Sequence, residues 1–203
     1  MLTNAEVPGS SSAICSNALQ QSEDGGPWTN VTLPSPTSVA VALTIPGLLH
    51  QFQYQVQVTG CDKVQSSWTQ GQQFGYNLLQ ESNGQWHYGP PKSSWKVAVC
   101  TQCSGGYARY STAKNATATL ILHAAYNVGL VFETGPTRGT ATIYVDGVRL
   151  QSINPHATTV AYRQLLVKTG WTAFGYHVIE IVNQGTSGHT RIDIDAAVVT
   201  YGP

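Results

Sequence analysis

The stretch Ala141-Thr142-Ile143-Tyr144-Val145-Asp146-Gly147-Val148-Arg149-Leu150 decides the fold class of this chain. Two short runs rich in β-branched and aromatic residues flank an Asp-Gly pair. That dipeptide accepts the positive φ angles of a tight hairpin turn, so the stretch predicts two antiparallel strands.

Short runs of alternating apolar and polar residues recur along the rest of the chain. The clearest is Phe52-Gln53-Tyr54-Gln55-Val56-Gln57-Val58, which places glutamines on one face and apolar side chains on the other. No run keeps a helical period over three turns, so we predict an all-β protein. Further strands are predicted at 18–22, 28–33, 39–43, 116–122, 129–133, 176–182 and 191–199.

The charge balance narrows the classes of partner. The 203 residues include ten Lys and Arg against ten Asp and Glu, and charged residues make up 10% of the chain, where about 25% is typical. Without net charge or a basic stripe, nucleic acid is not an expected partner. No apolar window approaches the ~18 residues of a membrane span, so no membrane insertion is expected.

Four cysteines, at positions 15, 61, 100 and 103, predict two disulfides in a Ser- and Thr-rich chain. Three pairings are open, and we favour Cys15–Cys61 with Cys100–Cys103 because each bridge then stays within one half. Reduced, buried thiols are the alternative. The Cys-x-x-Cys spacing also suits a redox or zinc site, but no helix follows and no second ligand pair is nearby. Disulfides indicate an extracellular location.

Two families resemble parts of the chain. The first half resembles a fibronectin type III domain in Asp24-Gly25-Gly26, Pro46-Gly47, Phe52-Gln53-Tyr54-Gln55-Val56 and Ser67-Trp68, although too few residues precede Leu19 for the usual opening strands. The second half resembles a galactose-binding-like β-sandwich. Its matching pieces are Gly105-Gly106-Tyr107-Ala108-Arg109-Tyr110-Ser111, Gly135-Pro136-Thr137-Arg138-Gly139-Thr140-Ala141, Tyr144-Val145-Asp146-Gly147 and Gly188-His189-Thr190-Arg191-Ile192-Asp193-Ile194-Asp195-Ala196.

These resemblances imply two β-sandwich domains, an immunoglobulin-like one at 1–75 and a jelly roll at 76–203. Such pairs occur in large secreted bacterial surface proteins and are typically non-catalytic. The resemblance therefore implies an extracellular binding or adhesion protein whose partner is a glycan or cell-surface polymer. The alternative is a structural subunit of a filament or surface layer that self-associates by strand pairing.

Candidate site residues were weighed by type and spacing. Asp193 and Asp195 lie two apart on one predicted strand and face the same side, which suits glycoside hydrolysis, a structural calcium ion, or ion pairs with Arg138 or Arg191. The six histidines are scattered singly, so no zinc site is predicted, and no nucleophile motif suggests an enzyme.

Aromatic residues in loops are the expected sugar contacts. Trp86, Tyr88 and Trp95, around Gly89-Pro90-Pro91, are the predicted ligand-binding residues, and core packing is the alternative role for each. Further candidates are Tyr107, Tyr110, Tyr126 and Trp171, whereas Trp28 and Trp68 are assigned to the first domain's core. Residues 2–14 are proposed to complete a sheet edge, their own or a neighbour's.

Overall fold

The protein is built from β-strands, as the sequence pattern predicted. The computed structural model describes residues 13–39, 41, 50–89 and 91–201. Within them the chain forms thirteen strands and two single turns of 3₁₀ helix, Lys92–Ser94 and Ser104–Gly106, and it divides into two compact units between Tyr76 and Asn77. No helix in this part of the chain is long and apolar enough to cross a membrane. The predicted edge strand at 2–14 and the strand at 39–43 fall almost entirely outside the described residues.

The first unit is a small antiparallel sheet. Its strands are β1 (Ile14–Glu23), β2 (Thr29–Val31), β3 (Gln51–Gly60), β4 (Thr69–Gln70) and the start of β5 (Phe74–Gln80). β1 lies between β2 and β3, and β3 also pairs with β4 and β5. The Cys15–Cys61 disulfide ties the start of β1 to the end of β3, which confirms the predicted pairing.

Aromatic rings of β3 and β5 form the apolar centre of this unit. Phe52 is fully buried, and its ring centroid lies 6.4 Å from that of Phe74, which also stacks on Tyr54 at 5.9 Å. Trp68 does not belong to this centre, because 36% of its surface is exposed. The prediction that Trp68 is a core residue was therefore wrong: it follows the buried Ser66 in an irregular segment where the strand alternation no longer orients side chains.

The second unit contains the longer strands. They are β6 (Trp86–Gly89), β7 (Trp95–Val99), β8 (Tyr107–Ser111), β9 (Thr117–Thr134), β10 (Ala141–Val145), β11 (Val148–Ile153), β12 (Ala161–Asn183) and β13 (Ile192–Tyr201). β9 is one strand of 18 residues where the sequence predicted two, and β12 begins fifteen residues before the predicted strand at 176–182. Both differences arise because the two strands continue through a bend rather than ending at a turn.

The long strands β9 and β12 take part in two sheets. Residues 117–122 of β9 pair with β6 and with residues 177–182 of β12, and β10 and β11 extend this sheet. Residues 127–134 of β9 pair instead with the first half of β12 and with β13, beyond which lie β8 and β7. Strands that pass from one sheet to another through a bend are typical of sandwich corners. Apolar side chains from both halves, such as Leu120, Phe132, Ile143, Ile181 and Ile194, form one buried core.

The hairpin predicted from the opening stretch joins β10 to β11. Asp146 and Gly147 have φ angles of 51° and 79°, the left-handed conformation that such a turn requires. The carboxylate of Asp146 also reaches the neighbouring strand, where Oδ1 accepts the backbone N–H of Val178 and Oδ2 lies 2.8 Å from Nδ1 of His177. We call this arrangement, a turn aspartate holding a histidine and the backbone N–H of the next residue, the turn clasp.

The assignment of the two units to independently folding domains is a prediction that calorimetry and limited proteolysis check. Residues 71–73, between β4 and β5, form no strand and are the expected cleavage site. We expect two unfolding transitions and a stable fragment that begins close to Gln73. One transition, with no fragment released by a broad-specificity protease, would contradict two domains.

Candidate functional site

A polar cleft of about 270 Å³ lies beside β6, where the sequence predicted sugar contacts. Glu81, Tyr88, Lys92 and Arg109 line it, together with part of Trp86. β6 brings Trp86 and Tyr88 to one side because side chains two apart on a strand share a face. The cleft is therefore lined by both aromatic and charged side chains.

The three predicted ligand-binding aromatics are brought together, but their ring faces pack against one another. The rings of Trp86 and Tyr88 stack at 6.1 Å, and those of Tyr88 and Trp95 lie 5.1 Å apart. Each indole is only 6% exposed, and the guanidinium of Arg109 lies 4.5 Å above the Tyr88 ring. Packing thus uses the faces on which a pyranose would stack, and the assignment of these residues to ligand binding stays a prediction.

Burial perturbs the ionisable groups of this cleft. It raises the pKa of Tyr88, whose hydroxyl donates to the carbonyl of Glu81 at 2.7 Å. Burial likewise raises the pKa of the Glu81 carboxyl, whose side chain has little contact with solvent. The phenol stays protonated and serves as a hydrogen-bond donor that positions the 81–88 turn.

Asp193 belongs to a buried ion-pair cluster. Arg138 donates from Nε to Asp193 Oδ2 at 2.8 Å and from Nη2 to Glu133 Oε2 at 2.5 Å. Arg191 donates from Nε to both oxygens of Asp193, and its guanidinium lies 3.9 Å above the ring of Tyr110. Both carboxylate oxygens of Asp193 are therefore committed to guanidinium groups. Of the roles considered from the sequence, this geometry selects ion pairing and leaves Asp193 no lone pair for a nucleophile.

Asp195 lies on the same face but has no guanidinium partner in the described residues. Its Oδ1 accepts the backbone N–H of Ser104 at 2.8 Å, and Oδ2 is buried without a hydrogen bond to any described residue. Burial raises the pKa of Asp195 to about 6, and the carboxylate of Glu133 adds to the shift. Asp195 is thus an acid that loses its proton near neutral pH.

The predicted Cys100–Cys103 disulfide is formed, so neither sulfur is a thiolate that could hold zinc in this structure. Cys103 Sγ lies 3.0 Å from Glu133 Oε1, but a disulfide sulfur carries no proton and cannot donate to the carboxylate. Among the described residues, the other close group of potential metal ligands is Glu23, Asp24 and His50 in the first unit.

A second candidate surface lies where β9 and β12 bend. Four residues of β12, 171–174, lie opposite Tyr126 alone, because Gly170 pairs with Asn127 and Gly175 with Ala125. This bulge pushes aromatic side chains outward. Phe174 is 39% exposed and Tyr176 is 59% exposed.

Ring contacts order the side chains of this bend. Tyr126 and Phe174 lie 5.0 Å apart, and His123 meets Tyr176 edge-on at 5.3 Å. We call His123, Tyr126, Phe174 and Tyr176 the bend surface. Of these four residues, only Tyr126 was among the candidates predicted from the sequence. The aromatic content of residues 171–177, which also include the candidate Trp171, was a signal that could have found Phe174 and Tyr176.

Comparisons with known proteins find similar regions in solved structures. No protein-family model matches the chain, and no curated protein sequence does. A family 35 carbohydrate-binding module from an environmental isolate has 17% identity and a TM-score of 0.46, covering 63% of this chain and 97% of the module. A family 35 carbohydrate-binding module from Clostridium thermocellum has 15% identity and a TM-score of 0.43, covering 62% and 98%.

Larger enzymes also contain a similar region. The Agl-KA catalytic domain has 12% identity and a TM-score of 0.42, with 63% of this chain covered, and the chain spans 28% of its length. All three TM-scores lie below 0.5, so these likenesses carry no argument about the fold or function of this chain. The fibronectin type III assignment of the first unit stays a prediction.

The raised pKa of Asp195 predicts how stability depends on pH. Because the folded-state pKa lies above the unfolded value of 3.8, the folded state holds the proton more tightly, and stability falls as pH rises from about 4 to about 6. At 1.36 kcal/mol per pKa unit, the loss is on the order of 3 kcal/mol. Asp195→Asn mimics the protonated acid. It should match the wild type at pH 4 and exceed it at pH 7 in denaturant titrations.

Asp193→Asn is the matched control for that experiment. It should destabilise the protein at both pH values, because the buried guanidinium of Arg138 and the half-buried one of Arg191 lose their charged partner. A difference between wild type and Asp195→Asn that is equal at pH 4 and pH 7 would contradict the assignment.

Proposed function

We propose that the chain is a non-catalytic extracellular protein that binds a neutral glycan through the bend surface. The observation that carries this proposal is the pair of ordered, solvent-exposed rings of Phe174 and Tyr176. Aromatic side chains offer a large, rigid contact area at low conformational-entropy cost. A pyranose presents a complementary face of C–H groups, with hydroxyls at its edge.

The surroundings of the bend surface favour an uncharged ligand. Neither residues 123–127 nor residues 171–177 contain Asp, Glu, Lys or Arg. Asn127 and Thr172 are exposed and follow Tyr126 and Trp171 in sequence. Asn127 donates to Thr200 Oγ1 at 2.9 Å, which leaves its amide oxygen and second N–H, with the Thr172 hydroxyl, for sugar hydroxyls. Ligand sites commonly pair an apolar surface with a few such polar groups.

Rigidity of the surface also favours binding. The ring of Trp171 lies parallel to that of His177 at 3.6 Å and packs against the buried core. Asp146 of the turn clasp contacts Nδ1 at the edge of the same imidazole. The exposed rings are therefore positioned before a ligand arrives, which lowers the entropy cost of association.

We infer that the chain is not catalytic from the contacts of the carboxylates that were candidates for glycoside hydrolysis. Hydrolysis was considered for the pair Asp193 and Asp195. Asp193 is enclosed by Arg138 and Arg191, and Asp195 Oδ1 accepts the backbone N–H of Ser104, so the pair has no second free carboxylate to act with Asp195. Two disulfides support an oxidising, extracellular environment.

Retention on insoluble neutral polysaccharides, followed by a glycan array, tests the proposal. We expect Phe174→Ala and Tyr176→Ala each to weaken retention roughly tenfold, which corresponds to about 1.4 kcal/mol. Binding should change little between low and high salt, because stacking involves no ion pair.

Tyr107→Ala is the matched control, since Tyr107 is 49% exposed on β8 and lies outside the bend surface. Tyr88→Ala tests the cleft predicted from the sequence. Loss of retention in Tyr88→Ala with unchanged retention in both bend variants would place the sugar in the cleft and contradict our site. A wild-type protein that retains no glycan would overturn the function.

A second candidate function, self-association by strand pairing, is favoured by β7. This strand pairs with β8 and with no other described strand, while Val97 and Val99 are 53% and 79% exposed. An apolar strand with a free edge is a template for pairing with another chain. Light scattering should detect oligomers that Val99→Lys disperses, and a wild-type monomer at all concentrations would contradict this candidate.

A further inference from the structure

The turn clasp of the second unit has a counterpart in the first. Asp24, with a φ angle of 51°, precedes Gly25 and accepts the backbone N–H of Gln51 at 2.8 Å through Oδ1. Its Oδ2 lies 2.6 Å from Nδ1 of His50. The arrangement repeats that of Asp146. The backbone N–H of each aspartate also donates at 2.8 Å to a carbonyl of the neighbouring strand, that of Gln51 for Asp24 and that of Val178 for Asp146.

One residue distinguishes the two clasps. In the first unit, Glu23 precedes the turn aspartate and places Oε1 at 3.1 Å from His50 Nδ1. In the second unit, Val145 holds the corresponding position and packs against the apolar core. The first clasp therefore contains a second carboxylate that the hairpin itself does not need.

Three potential ligand atoms converge here. One nitrogen of His50 and one oxygen from each of Asp24 and Glu23 all lie within 4.8 Å of one another. We propose that these residues bind a divalent transition-metal ion of the Zn²⁺ type. In the bound form the ion replaces the proton on Nδ1, which leaves to solvent, and water completes the coordination.

The distances fit this assignment. Ligand atoms at about 2.0–2.1 Å from a tetrahedral ion lie about 3.3–3.4 Å from each other. The contacts of 2.6 Å and 3.1 Å need to widen by less than about 0.8 Å, and the side chains are between 36% and 52% exposed, so they have room to move. Asp24 Oδ1 stays on the Gln51 N–H, which orients the other oxygen toward the ion.

The ligand set selects the class of ion. An imidazole with two carboxylates suits zinc and its neighbours, whereas Ca²⁺ takes six to eight oxygen ligands and Mg²⁺ retains most of its waters. The hydrogen bond that His50 donates to Asp24 raises the pKa of His50, which is consistent with a negative field where the ion would lie.

Calorimetric titration of the full chain with Zn²⁺ tests the site. We expect one bound equivalent, at least tenfold weaker binding in His50→Ala and in Glu23→Gln, and no comparable binding of Ca²⁺. Glu23→Gln keeps the size of the side chain and the Asp24–His50 hydrogen bond, so it should fold even if His50→Ala does not.

His177→Ala is the matched control, because it removes the histidine of the clasp that lacks a third ligand. It should leave zinc affinity unchanged. The proposal is overturned if the wild type binds no Zn²⁺ at 1 mM. It is equally overturned if Glu23→Gln binds like the wild type, or if His177→Ala weakens binding as much as His50→Ala. If Zn²⁺ binds to Glu23→Gln as it does to the wild type, the ion lies at another site, for example at His156 and His189, whose rings are 4.1 Å apart.

Discussion

The pairing of β9 with β12 is the constraint on which the second unit depends. These two strands run together through both sheets, so every other strand of the unit is attached to one of them directly or through a neighbour. Two strands can enter two sheets only if both bend at the same place. The register shift between Gly170 and Gly175 meets this requirement and also creates the bend surface. The proposed binding surface is thus a product of the corner that closes the sandwich.

The second unit buries a cluster of charged side chains. The chain is poor in charge, and Glu133, Arg138, Asp193 and Asp195 are nevertheless buried. Buried carboxylates are tolerated when guanidinium groups satisfy them, as around Asp193, and take up protons when they are not, as at Asp195. The bend surface, by contrast, contains aromatic rings, an imidazole and phenol hydroxyls. In this charge-poor chain, several of the charged side chains are therefore buried in one cluster, while the proposed contact surface contains no Asp, Glu, Lys or Arg.

Several features could be predicted from neighbouring residues. The Asp146-Gly147 hairpin, the alternation of β3 and the short loop of Cys100–Cys103 all depend on local conformation, and each was found as predicted. Ion pairing with Arg138 or Arg191 was one of three roles considered for Asp193 and Asp195, and the structure pairs Asp193 with both arginines but Asp195 with neither. The role of Trp68 and the lengths of β9 and β12 could not be predicted this way. Burial and strand continuation depend on partners far away in sequence.

The sequence by itself determined the all-β class and the tight turns, because period-two alternation and Asp-Gly turn chemistry are properties of short segments. It favoured the disulfide pairing that the structure shows but left three pairings open, since Cys15 and Cys61 are 46 residues apart. Only the tertiary structure decided which aromatics are exposed and which polar side chains meet. Trp86 and Trp95 lie close in sequence to Gly89-Pro90-Pro91, where exposed loop aromatics were predicted, yet both indoles are buried in the core. His50 lies 26 residues from Asp24, and only the register of β1 against β3 brings the imidazole beside two carboxylates.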